Sequence, residues 1–194
     1  MNHRLVFFVL FVLLFSIFQN ANAQSFYFGR NKIQYTDFKW QVLKTPHFNI
    51  YYYPEMQDAA EKGAAFAEES FKVLEEKFNH SVIRRIPLIF YSTHQHFEQT
   101  NILPGFIPEG VGGFFEYMKG RVVIPANGDI YSFKRVIRHE LVHVFTHSKL
   151  LNASRKRNML GGTGVPLWFT EGIAEYWSGS WDSLGEMMLK DAVL

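Results

Sequence analysis

The chain has 194 residues, 47% of them hydrophobic and 17% aromatic, with no cysteine and a formal net charge of +2. That length supports one domain with a substantial core, and the near-balanced charge gives no basis for a nucleic-acid-binding surface. The lack of cysteine excludes disulfides and thiolate metal ligands, so any metal site must be built from histidines and carboxylates.

Residues 1–23 carry Arg4 near the amino terminus, an apolar run from Leu5 to Phe18 and the small-residue triplet Ala21-Asn22-Ala23. This is the pattern of a secretory signal peptide. The run falls short of the roughly 20 apolar residues that a bilayer span requires. The expected product is a cleaved, exported chain beginning at Gln24, periplasmic or secreted, with no stable membrane span. Residues 24–194 are then expected to form one domain. Residues 24–39 are aromatic and irregular and read as an arm lying on that domain. Residues 40–43 and 48–53 read as strands, the second with Phe48, Ile50 and Tyr52 alternating onto one face. Met56, Ala60, Ala64, Ala67, Phe71, Leu74 and Phe78 keep helical spacing, with Glu61, Glu68, Glu69, Glu75 and Glu76 on the opposite, solvated side.

Residues 86–91 are a short apolar run suited to a buried strand. Ser92-Thr93-His94-Gln95 reads as a capping box opening a short helix, with His94 and His96 as surface residues. Residues 101–113 hold Pro104, Gly105, Pro108, Gly110, Gly112 and Gly113, a loop by composition that is expected to border a cleft. Residues 114–117 and 121–124 flank Met118-Lys119-Gly120 and predict a hairpin.

Next comes His139-Glu140-Leu141-Val142-His143. On a helix, residues four apart share a face, so both imidazoles can address one ion while Glu140 reaches its open side. Ile130, Phe133, Val136, Ile137, Leu141, Val144 and Phe145 supply the helical period, with Asp129 or Ser132 as N-cap. His147 extends the histidine series, but a residue eight along a straight helix lies about 12 Å up the axis, so it is expected to be no ligand. Arg155-Lys156-Arg157 reads as a solvated loop. Two histidines leave a zinc site one protein ligand short of the usual three plus water, and the segment 167–177, with its carboxylates Glu171 and Glu175, is where a third is expected. Glu171 and Glu175 are four apart and would repel on a helix, which predicts a cation near them. Gly172 between them predicts a close approach of two helix backbones.

These residues resemble the gluzincin metallopeptidases, in which His-Glu-x-x-His is followed by a second helix bearing a Glu ligand in an Asn/Thr-Glu-Gly-x-Ala-x-Tyr setting. Here that setting is Thr170-Glu171-Gly172-Ile173-Ala174-Glu175-Tyr176. The connection from His143 to Glu171 is longer than in the zinc aminopeptidases. The resemblance implies a zincin-like α+β domain with a small mixed sheet, an active-site helix and a following glutamate helix. It implies one Zn2+ held by His139, His143 and Glu171, Glu140 as catalytic base, and Glu175 as acceptor for a ligand histidine. It also implies that the strand around Gly113, Phe114, Phe115 and Glu116 is the edge along which a peptide or protein substrate lies. Residues 186–194 start a helical pattern without a cap, which suggests the front part of a longer protein. Proteins resembling this stretch continue into a TolB-like β-propeller. The expected function is zinc-dependent peptide hydrolysis outside the cytoplasm. The alternatives are a non-catalytic zincin-like binding domain of a larger envelope protein and hydrolysis of a non-peptide bond.

Overall fold

The alternation of Phe48, Ile50 and Tyr52 marks the covered face of a five-stranded mixed sheet. Its strands are β1 (Gln41–Lys44), β2 (Phe48–Tyr52), β3 (Ile86–Tyr91), β4 (Phe114–Glu116) and β5 (Arg121–Pro125), in spatial order β1-β2-β3-β5-β4. β2, β3 and β5 run parallel, and the outer strands β1 and β4 are antiparallel to their neighbours. In this computed structural model the described residues are 32–101, 105–156, 165–179 and 183–193. The signal-peptide expectation for residues 1–23 and the Arg157 end of the basic run lie outside them. Among the described residues no helix is long and apolar enough to cross a membrane.

The helices are α1 (Gln57–Phe78), α2 (His94–Glu98), α3 (Ile130–Lys156), α4 (Leu167–Ser178) and α5 (Ser183–Val193). Together with the sheet they make an α+β fold. Parallel strands need a crossover, and α1 supplies the one between β2 and β3. Every apolar position predicted for that helix, from Met56 to Phe78, is buried. The helix ends at Asn79 in the left-handed region, φ 43°, which asparagine tolerates better than most residues. α3 is capped by Asp129, whose carboxylate accepts from the backbone N–H groups of Tyr131 and Ser132. It packs Phe133, Ile137, Leu141 and Phe145 into the core, with Phe145 against the rings of Phe71 and Phe78.

Several local expectations are corrected. The cap of α2 is Thr93, which accepts from the His96 N–H; the Ser92 hydroxyl is instead bonded to the Tyr53 hydroxyl. His94 and His96 are half-buried: His94 Nε2 lies 3.1 Å from the Ile107 carbonyl, and His96 Nδ1 lies 2.7 Å from the Tyr53 hydroxyl. Glu68 and Glu69 are more than a solvated face. Glu68 accepts from the Thr45 hydroxyl and the His47 N–H, and Glu69 accepts from Lys134 and Arg138, which ties α1 to α3. Arg155 and Lys156 belong to the last turn of α3, where cations meet the negative end of the helix dipole. The arm is where expected: in its described part, the Tyr35 and Thr36 N–H groups donate to Gln99 Oε1.

Gly63 marks a close contact between α1 and the sheet. A Cβ there would lie 2.5 Å from the buried ring of Phe90 and 3.1 Å from Phe133. Gly63→Val is expected to destabilise the fold by about 2 kcal/mol through overpacking, although valine is the better helix former. Urea unfolding should show a lowered midpoint with an unchanged slope.

Candidate metal centre

α3 divides its surface lengthwise. Its core residues occupy one face, and Arg135, His139, His143 and His147, spaced by four, form a stripe on another. α4 lies across this stripe. It is anchored by Ala174, which is fully buried, and by Trp177, whose ring meets Phe78 edge-on at 4.8 Å. With Ala174 and Trp177 turned inward, Glu171 and Glu175 are turned toward the histidines.

Three donor atoms converge. His139 Nε2 and His143 Nε2 are 3.2 Å apart, and Glu171 Oε2 lies 3.5 Å from the first and 3.4 Å from the second. A small divalent ion bound at about 2.0–2.2 Å requires tetrahedral donors about 3.3–3.6 Å apart. The triangle fits one ion with a fourth position open, and the group formed by His139, His143 and Glu171 can hold it.

The neighbouring charges are arranged around these donors. Glu175 Oε2 is 3.5 Å from His139 Nδ1, the nitrogen facing away from the other donors. Its other carboxylate oxygen is paired with the Arg135 guanidinium. Glu140 is only 5% exposed. Burial, and secondly the charge of Glu171, push its carboxyl up to about 8; a divalent ion in the site would oppose that rise. Burial also holds His143 below its ordinary value, opposed by Glu171 and reinforced by His139. That favours the neutral imidazole that a metal requires.

The donors open into a cleft of about 1340 Å³ that runs along α3, with β4 on one side and α4 on the other. Gly113, Phe114 and Phe115 are on its wall. β4 is the last strand of the sheet, paired only with β5 among the described residues. A Cβ on Gly113 would meet Val136 and the Val123 carbonyl at 3.1 Å, so glycine lets the strand close on α3 just before His139. Glu116 is turned away from the cleft onto Arg121 across the hairpin.

α3 continues unbroken past His143, so His147 is carried a turn beyond the donors. It faces the cleft and packs against the rings of Phe115 and Tyr117. The reasoning about Gly172 is corrected: a Cβ there would meet open space, and Ala174 provides the close approach between α4 and the core. Arg135 was missed, although its position one turn before His139 on the same stripe was legible. It pairs with Glu175, whereas Glu171 faces the two imidazoles.

Comparison with protein-family models, curated proteins and solved structures finds no match, so the reading of the site rests on its own geometry. Arg135→Ala should free the Glu175 carboxylate and loosen His139. Loss of such supporting contacts typically costs 10–100-fold in metal affinity, and about tenfold is expected here by chelator competition.

Proposed function

We propose that this protein is a zinc-dependent peptidase of gluzincin type, acting on peptides or proteins outside the cytoplasm. The observation that carries this reading is the set of three donors at 3.2–3.5 Å spacing with the buried carboxylate of Glu140 beside it. Two imidazoles and one carboxylate are a donor set that suits zinc. A purely structural zinc is normally held by four protein ligands, whereas here there are three, an open side and an adjacent base.

His139, His143 and Glu171 would hold the ion, and bound zinc supplies Lewis acidity that brings the pKa of a water to about 7. Glu140 takes the proton of the attacking water on its carboxylate and delivers it to the leaving amine nitrogen. Burial raises the proton affinity of Glu140 and a bound ion would lower it, and a carboxylate balanced in this way is suited to both halves of that transfer. Glu175, braced by Arg135, keeps the Nδ1 side of His139 occupied, so that Nε2 presents its lone pair to the ion. The outer edge of β4, unpaired among the described residues, offers backbone groups to an extended peptide, which can add as a further strand beside the donors. Export rests on the signal-peptide pattern of residues 1–23.

His139→Ala, His143→Ala and Glu171→Ala should each lose zinc, whereas Glu140→Gln should keep it and lose turnover. Metal analysis alongside cleavage of a peptide library separates the two roles. A Glu140→Gln variant as metal-free as the histidine variants would refute the division between ligand and base. Glu175→Gln should bind zinc at least tenfold more weakly, and wild-type affinity would reduce it to a surface carboxylate. A proline at position 115 removes a backbone N–H from the strand and should raise KM or abolish cleavage while zinc content stays at the wild-type level.

A further inference from the structure

One feature of the cleft is not used by the metal chemistry. Phe115, Tyr117 and His147 form a triangle of rings, with centroids 5.6 Å apart for Phe115–His147, 5.8 Å for Tyr117–His147 and 5.7 Å for Phe115–Tyr117. The pleat of the hairpin places residues 113, 115 and 117 on one side, and the two glycine and phenylalanine contacts fix that side against α3: Gly113 at Val136, Phe115 at His147. The donors at 139 and 143 lie between these two contacts, so the ring triangle sits immediately beyond them along the cleft.

The same three residues also line a second hollow of about 290 Å³, whose walls include Val82, Val144 and Leu151. This is at the small end of ligand pockets, a space for one side chain. Tyr117 is 68% exposed, so its ring stands at the mouth of the hollow. Burial holds the His147 imidazole below its ordinary value, so near neutral pH the cluster has an apolar character.

We infer that Phe115, Tyr117 and His147 form a subsite for one aromatic side chain of the peptide, two residues along from the residue held at the metal donors. The inference rests on the peptidase reading above. His147 lies four residues beyond His143, about 6 Å along the helix axis. Same-face side chains of an extended peptide recur every two residues, about 6.6–6.8 Å. A strand paired with the outer edge of β4, unpaired among the described residues, with one side chain at the donors, therefore brings its next same-face side chain to the ring triangle. Aromatic side chains gain more than aliphatic ones at such a place because edge-to-face ring contacts add to area burial. Arg84 and Arg85 also border the hollow, which makes an acidic side chain the competing ligand. Both arginines already donate to backbone carbonyls, of Lys119 and Pro46.

The test is a set of peptides identical except at the positions up to three residues on either side of the scissile bond, carrying Phe, Leu, Glu or Ala there in turn, offered to the zinc-loaded, full-length protein. Wild type should show, at one position two residues from the one at the donors, a kcat/KM for Phe about tenfold or more above that for Ala, the scale of apolar-pocket discrimination, with Leu between. In Tyr117→Ala and His147→Ala the Phe-to-Ala ratio at that position should fall to within about threefold of unity, with zinc content and unfolding midpoint reported alongside. A preference for Glu at that position, or a Phe preference unchanged in both variants, overturns the subsite while leaving the peptidase reading intact. A zinc-loaded protein that cleaves none of the peptides overturns both.

Discussion

The site depends on the way α3 is locked in rotation. Ile137, Leu141 and Phe145 are fully buried, and a helix with such a face cannot roll without exposing it. Each residue advances the helix by about 100°, so the direction of every side chain from 135 to 147 follows once those three are in place. His139 and His143 are thereby aimed at α4. Glu140, one residue on, is carried toward the protein interior instead, and its burial is the direct cause of its raised proton affinity. The two histidines and Glu140 differ in environment because they stand on different sides of one cylinder.

A second constraint is charge. Glu140, Glu171 and Glu175 gather around two imidazoles in a small volume, and a carboxylate is costly to place there without compensation. Arg135 offsets one of the three. His139, His143 and Glu171 remain as a group that could hold one metal ion. An ion that binds the folded chain and not the unfolded one would also stabilise the fold by mass action.

The cleft wall follows from the short strand β4. An exposed sheet edge is a template for pairing and is usually blunted by brevity, charge or covering elements. β4 is three residues long, and its inner face is held against α3 by Gly113 and Phe115. The edge that is unpaired among the described residues is thus limited to the stretch beside the donors. The rings of Phe115 and Tyr117 occupy the same side as that contact and meet His147, a histidine whose place in the series is explained by packing instead of coordination.

What the sequence determined by itself was periodic. The four-residue spacing of His139 and His143, the apolar faces of α1 and α3, the alternation of Phe48, Ile50 and Tyr52, and the like-charge pair Glu171 and Glu175 are all statements about one element, and local geometry is set by φ and ψ alone. They were enough to put His139 and His143 on one face and to point to a carboxylate in the segment 167–177; the choice of Glu171 and the α+β class came from the resemblance. What only the tertiary structure decided was relational. No spacing rule places Glu175 between Arg135 and His139, turns Glu116 onto Arg121, or makes Gly63 the close contact and leaves Gly172 in open space. Nor could residue type show that Glu68 and Glu69 are partnered while looking like a solvated face. These depend on which elements meet across long stretches of chain, and such meetings are selected by the packing of the whole core, which no short window of sequence contains.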